Sequence, residues 1–254
     1  GRYSPFLFKG ISFSTGGYSA EYGQALSSVL LLSTIDEPDQ EKTDISFMTV
    51  GLGVGNTQKW KNSSFSINTS YINLAPYLAI FEDRNTWNKP YQSLSGEMVF
   101  RQQFKDGSML KLYGAYSYSD FDVLQENINF DDGFRIGLNN RNLYFNASYK
   151  NKFGNNWRYE TIASFTNDHT NTKIIKDNLN SNENSLHLKA KLKKRFSSRA
   201  RLSFGGEYFN TNYDENYTPI NNSKFKYGFN NSILATFIET DIFFSKNLGT
   251  KVGV

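Results

Sequence analysis

The sequence predicts an all-β protein, an antiparallel β-barrel whose strands cross a membrane, and three observations carry that reading. Apolar and polar residues alternate with period two over segments of roughly 9 to 13 residues, the length that a tilted membrane-crossing strand needs. Short turns and longer polar loops follow one another in regular succession. The composition is polar on average, with a mean hydropathy of −0.55. Yet it includes 22 Phe and 16 Tyr, as expected when each strand shows one face to lipid and the other to water. No apolar run approaches the ~18 residues of a membrane helix, so strands must do the crossing.

A length of 254 residues without a Pro/Gly/Ser-rich linker argues for a single architecture. The chain opens differently from how it continues. Residues 7–15 alternate, with Ile11 and Phe13 opposed to Ser12 and Ser14, and predict a short strand closed by Gly16 and Gly17. Small residues at 20–28 predict a tight or helical turn, and Val29 to Leu32 reads as a strand buried on both faces. The charged stretch 35–42, which contains Pro38, is the one candidate boundary and divides residues 1–43 from residues 44–254. Gly1 is not preceded by Met and Val254 falls within a strand pattern, so both ends read as cuts.

Beyond the boundary, the faces can be counted. In residues 141–153 the odd positions Arg141, Leu143, Phe145, Ala147, Tyr149, Asn151 and Phe153 are mainly apolar, and the even positions Asn142, Tyr144, Asn146, Ser148, Lys150 and Lys152 mainly polar. In residues 186–196, Leu186, Leu188, Ala190, Leu192 and Phe196 oppose His187, Lys189, Lys191, Lys193 and Arg195. A helix would scatter both sets around its circumference. Similar alternation, with interruptions, marks 64–72, 93–104, 108–118, 157–167, 200–210 and 232–244.

Tight turns are predicted at 105–107, 154–156, 197–199 and 245–248, each after a phenylalanine: Phe104, Phe153, Phe196 and Phe244. These phenylalanines recur at intervals of 49, 43 and 48 residues. Between them lie polar stretches at 121–137, 170–184 and 214–228, which read as longer loops. Short turns at one end and long loops at the other form the outer-membrane barrel pattern, with the short turns on the periplasmic side. The recurring Phe and Trp157 then read as an interfacial girdle, or alternatively as cover for a sheet edge. For Phe104 to end a descending strand, 44–54 must ascend, 63–72 descend and a weak strand at 76–81 ascend. The total is about eleven strands.

Little points to bond chemistry. Cysteine is absent, so neither disulfides nor a thiolate metal site are available. No Gly-x-Ser-x-Gly nucleophile elbow occurs. His169 and His187 lie on different strands and read as solvated or hydrogen-bonded, and the acidic set Asp120, Asp122, Glu126, Asp131 and Asp132 lacks EF-hand spacing. No catalytic residue, metal or cofactor is predicted. The net charge of +4 is spread along the strands, which argues against a nucleic-acid partner. Trp87, Tyr91, Tyr213 and Tyr217 fall in predicted outer loops and are candidates to stack on a ligand. The row from His187 to Arg195 could guide an anion, but its place near the tight-turn end favours contact with the N-terminal segment or the periplasm.

The order Tyr22-Gly23, Ala25-Leu26-Ser27-Ser28, Val29 to Leu32 and Thr34, followed at once by long amphipathic strands, resembles the TonB-dependent outer-membrane receptors. The run from Gly17 to Ser27 is most similar to members from Bacteroidota-type bacteria. The resemblance implies that residues 1–43 are the end of a plug, with Gly16, Gly17, Tyr22 and Gly23 as its motif, and that residues 44–254 are about half of a barrel of roughly 22 strands. It also implies energised uptake without bond chemistry, in the cell outer membrane. The ligand would be an iron chelate, cobalamin or oligosaccharide. Outer-membrane lipid and the TonB complex would be partners, the latter through an upstream region, and a surface lipoprotein could pair with the receptor. Many relatives place Arg before Tyr-Gly and hold it against acidic wall residues, whereas this chain has Glu21. The expectation is a swapped polarity, with Glu21 held by Arg101, Lys189, Lys191 or Arg195, the alternative being a solvated carboxylate. Competing readings are a passive channel without a plug and a soluble carbohydrate-binding β protein.

Overall fold

The computed structural model describes residues 7–23, 27–128, 130–220 and 223–254, with the backbone alone at 130–132. The Gln24–Leu26 part of the N-terminal motif lies outside these residues, as do the side chains of Asp131 and Asp132. A two-stranded sheet pairs β1 (Phe8–Ser14) with β2 (Val29–Thr34). A second sheet has eleven strands, each hydrogen-bonded only to its sequence neighbours. These are β3 (Lys42–Met48), β4 (Gly51–Lys59), β5 (Ser63–Asn73), β6 (Thr86–Gln103), β7 (Met109–Asn127), β8 (Phe130–Phe153), β9 (Trp157–Ile174), β10 (Asp177–Arg195), β11 (Ala200–Thr218), β12 (Phe225–Phe243) and β13 (Gly249–Gly253). Antiparallel neighbours need only short connections, so the chain meanders from edge to edge as part of a β-barrel.

Register divides the side chains between two faces. One row across the sheet reads Arg101, Lys111, Ser148, Ile162, Lys189, Glu207, Ala235. The adjacent row, on the opposite face, reads Phe100, Leu112, Ala147, Ala163, Leu188, Tyr208, Leu234. The β1–β2 hairpin lies on the charged face, here called the inner face. Packing is accordingly inverted relative to a water-soluble domain. Among the described residues only five hydrophobic side chains are buried, against fifteen polar or charged ones, and Leu234 is 79% exposed. A small apolar cluster of Leu7, Val99 and Tyr113, joined by Phe8, Ala115 and Tyr144, fills the contact between hairpin and wall.

The four tight turns close as their sequences require. Phe104 N–H donates to the Ser108 carbonyl, and Gly107 takes φ +81°. Gly154 and Asn156 are left-handed, and Ser197 and Ser245 accept backbone N–H bonds within their own turns.

Several expectations change. Residues 44–54 are two strands, β3 and β4, turned at Thr49 and Val50, neither a usual turn residue. Residues 76–81 form no strand: α1 (Ala75–Leu78) starts there, with Pro76 in its first turn, where a missing N–H costs nothing. Ser63 pairs with Gln102, so the turn at 60–62 sits at the same end as 105–107 and β5 runs opposite to the expected direction. The extra strand offsets the missing one, which is why the count of eleven and every direction from Phe104 onward survive. The polar stretches at 121–137, 170–184 and 214–228 are mostly ladder, paired up to Asn127 with Phe130, Ile174 with Asp177 and Tyr217 with Phe225. The strands from β6 to β12 therefore reach 18 to 24 residues. At ~3.3 Å per residue even 18 residues span about 60 Å, roughly twice a hydrocarbon core. In the upper halves of β9 and β10 both faces carry mainly Asn, Asp, Ser and Thr, so the backbone pairing continues while the hydropathy signal disappears. β2 is not buried on both faces either, since it pairs with β1 alone and leaves Leu30 58% exposed.

Gly205 faces inward opposite Phe237, whose ring covers it: a Cβ there would meet the ring at 2.9 Å and collide with the Ala190 carbonyl oxygen. Glycine thus lets a large aromatic lie flat over the ladder. Gly205→Val is expected to abolish the folded, heat-modifiable form on semi-native electrophoresis, whereas Gly206→Ala, where the nearest atom is 3.3 Å away, retains it. Equal yields of folded protein from the two variants would refute this account.

Candidate functional site

The hairpin meets the wall through long charged side chains. Three cations from one register row reach backbone carbonyls of the small sheet and its flanks. Arg101 Nε donates to the Ile35 carbonyl at 2.6 Å, Lys111 Nζ to that of Thr34 at 3.0 Å, and Lys189 Nζ to that of Glu21 at 3.0 Å. Backbone carbonyls at the ends of a two-stranded ribbon have no ladder partner, so wall side chains satisfy them.

The joint is densest at the 3-10 turn Ala20–Tyr22. Lys191 Nζ lies 3.0 and 3.1 Å from the two Glu21 carboxylate oxygens, and Lys189 Nζ lies 3.7 Å from Oε1. Lys191 also pairs with Glu160 at 3.1 Å, Glu160 with Lys150 at 2.8 Å, Lys189 with Glu207 at 3.2 Å, and Glu207 with His187 Nε2 at 3.2 Å. Signs alternate along the chain Lys150, Glu160, Lys191, Glu21, Lys189, Glu207, and His187 ends it. Each interior charge therefore has an opposite neighbour on both sides, the condition under which burial of ions is tolerable. From β12, Glu239 accepts the Ala20 N–H at 2.8 Å. The Tyr22 ring centroid lies 5.1 Å from Lys189 Nζ, within cation–π range.

Burial opposes ionisation of Glu21, but the ammonium groups of Lys191 and Lys189 outweigh it and hold the carboxyl below its ordinary value. Burial and the neighbouring Glu21 push the Tyr22 hydroxyl upward. Asp36, which follows the hairpin, is also opposed by burial, yet Lys111 and Lys9 bring it down to about 2. Between hairpin and wall a cavity of about 510 Å³ is lined by Glu21, Tyr22, Lys111, Tyr144, Lys189 and Lys191, among others.

Of the candidate partners of Glu21, the structure thus brings Lys189 and Lys191 to it. Arg101 instead serves Ile35, and exposed Arg195 folds onto the carbonyl of Ser197 in its own turn. Gly16 and Gly17 form the bend after β1, Gly17 at φ +62°, and Gly23 ends the 3-10 turn. Trp87 donates to Asp83, and Tyr91 lies 6.1 Å from Phe121. Tyr213 and Tyr217 are strand residues at the far end of β11, away from the hairpin. Asp122, considered as a cation ligand, is bound by Arg135 and Asn88. Lys111, Glu160, Glu207 and Glu239 were not singled out by sequence reasoning. Their alternation phase marks them as inward-facing, but only the register places Lys111 in the same row as Arg101 and Lys189.

No protein-family model and no curated protein matches the chain. Among solved structures, its fold is similar to the crystal structure of the ferric yersiniabactin uptake receptor FyuA from Yersinia pestis, with a TM-score of 0.54 and 9% identity. That match covers 89% of this chain and 41% of the receptor, so the chain spans less than half of the receptor's length. At this identity the likeness is one of fold.

Because the folded-state pKa of Glu21 is lowered, its contribution is complete above the unfolded carboxyl value of about 4.5 and lost as pH falls through the lower folded value. Hydrogen exchange at residues 20–23, corrected for intrinsic rates, is expected to accelerate as pH drops below about 4.5. In Glu21→Gln the same amides should exchange fast already at neutral pH and show no acid step. An identical pH profile in both proteins would eliminate Glu21 as the titrating group.

Proposed function

We propose that residues 1–43 are the closing segment of a plug and residues 44–254 the first half of the barrel of an outer-membrane receptor that takes up its ligand by TonB-driven transport. The observation that supports this best is the polar joint around Glu21: a separate hairpin tied to the charged inner face of a sheet whose outer face is apolar and uncovered. A passive channel has no use for such a tether, and a soluble protein would hide Leu188, Leu234 and Ile238 from water. The sequence motif from Tyr22 to Thr34 and the likeness in fold to an uptake receptor point the same way.

The joint suits a segment that must be held and then released. Its contacts are hydrogen bonds and ion pairs from flexible Lys and Arg side chains, and a wetted lumen offers water as the replacement partner, so each bond has a modest net value. Only the cluster at Leu7, Val99 and Tyr113 would expose apolar surface on separation. Lys189 and Lys191 sit on one strand and grip both the backbone and the side chain of one residue, which makes Glu21 the natural latch.

The test uses the full-length gene product in its outer membrane. Reversing the latch charge with Glu21→Lys sets three ammonium groups against one another and is expected to raise permeability to small hydrophilic antibiotics and dyes while the barrel remains folded. Ligand accumulation should stop when a protonophore collapses the inner-membrane gradient. Unchanged permeability in the variant would remove the latch, uptake indifferent to the protonophore would support a passive channel, and a monodisperse protein in detergent-free buffer would exclude the membrane reading altogether.

A further inference from the structure

Along β11 and β12 the polarity of the two faces reverses part-way up. In the lower halves the outer face carries Leu202, Phe204, Tyr208, Leu234, Ile238 and Ile242, while the inner face carries Arg201, Ser203, Glu207, Glu239 and Asp241. Above Phe209 the outer face turns polar, with Asn210, Asn212, Asp214 and Asn216 on β11 and Lys226, Asn230 and Ser232 on β12. The inner face there becomes aromatic, with Phe209, Tyr213 and Tyr217 opposite Ile233, Phe229 and Phe225, and Tyr227 between the last two. The register runs from Ala200 to Tyr217 without a bulge, so no slip produces the reversal; the sequence itself swaps its alternation phase.

The rings are ordered. Tyr213 stacks with Phe229 at 5.5 Å and Tyr217 with Phe225 at 6.2 Å, and His187 lies flat on Phe209 at 3.9 Å. The Tyr213 hydroxyl donates to Glu215, and that of Tyr217 to Asp177 from β10, which fixes both rings. On the β12 side Phe225, Tyr227 and Phe229 are 59%, 62% and 44% exposed, in a stretch of β12 that pairs with β11 alone. Aromatic side chains are not needed at these positions for lipid, because they face away from it, and inside a wetted lumen they carry a hydration cost that an occupant would relieve.

The chemistry of the surroundings narrows the occupant. Among the described residues, the inner-face positions of β9 to β12 above His187 include the carboxylates Asp168, Asp177, Glu183 and Glu215 and no Lys or Arg. An anionic chelate would meet repulsion here without a compensating cation. From Phe209 to Tyr217 the strip runs eight residues, on the order of 27 Å, the dimension of an extended chain and not of a compact complex. We propose that this strip is a binding platform for a neutral oligosaccharide. Its ring faces would pack against the C–H faces of successive sugars, and the free lone pairs of Asp177, Glu183 and Glu215 would accept sugar hydroxyls. This rests on the receptor reading only in taking the inner face as a water-filled lumen.

The test is calorimetric titration of the full-length protein in detergent with neutral hexasaccharides of differing linkage: maltohexaose, cellohexaose, mannohexaose and xylohexaose. Ferric citrate and hexalysine serve as the anionic and cationic comparators. At least one hexasaccharide is expected to bind in preference to both comparators, with affinity falling roughly tenfold or more in Phe229→Ala and in Tyr213→Ala. Tyr213→Phe, which keeps the ring and loses the clamp to Glu215, should lose less than Tyr213→Ala. Heat-modifiable migration verifies that each variant is folded. Absence of binding by all four hexasaccharides, stronger binding of ferric citrate or hexalysine, or unchanged affinity in Phe229→Ala would overturn the proposal. Because binding in detergent draws on no energy source, these outcomes are independent of whether uptake responds to the protonophore.

Discussion

An unbroken antiparallel register is the constraint on which the rest of the structure depends. From β9 to β12 each residue has a fixed partner on the next strand, and the period of two then assigns every side chain to one of two faces. Nothing else is needed to explain why Lys189 and Leu188, adjacent in sequence, lie on opposite faces, or why Arg101, Lys111 and Lys189, far apart in sequence, share one row. A one-residue slip in any pair would carry charges to the apolar side and leucines to the hairpin, so the energetic penalty for misregister is large and a single arrangement persists.

With apolar side chains committed to the outer face, the contact between hairpin and wall has to be made mostly of polar groups. That gives it a character unlike a domain core. Buried charged side chains such as Glu21, Lys189, Glu207 and Glu239 find their partners in one another and in the backbone of the N-terminal segment instead of in water, and removing one member strands its neighbours. The contact is therefore specific in geometry, and only the small cluster at Leu7, Val99 and Tyr113 in it is apolar. The reversal of polarity higher in β11 and β12 shows the same logic in the other direction. There the outer face carries Asn and Asp and the inner face carries rings.

Legibility in the sequence followed from how strongly a segment's two faces differ in medium. Residues 186–196 and 141–153 alternate between Lys or Asn on the inner face and Leu or Phe on the outer face, and their strands are plain in the sequence. Above that band the contrast vanishes, so Asn180, Asn182 and Asn184 read as loop although they pair residue for residue with Asn216, Asp214 and Asn212. The turn at Thr49 and Val50 carries no turn chemistry, and the helix at 75–78 hides in a short apolar run whose period is too brief to decide. The charge at Glu21 was visible as an oddity, and its candidate partners could be chosen by phase, but phase alone could not separate Lys191 from Arg195, which lies on the same face.

By itself, then, the sequence determined the strand character, the tight-turn rhythm, the facing of each side chain within the amphipathic segments and the existence of a distinct N-terminal piece, because all of these are local: they depend on period, turn residues and the medium on either side. Only the tertiary structure decided that Lys189 and Lys191 clasp Glu21 while Arg101 and Lys111 serve the far end of the hairpin, that Glu239 reaches back from β12 to the Ala20 N–H, and that rings from β11 and β12 form one surface. Those pairings join residues up to 219 positions apart. Their physical cause is the accumulated register of many strands, a quantity that no single segment contains.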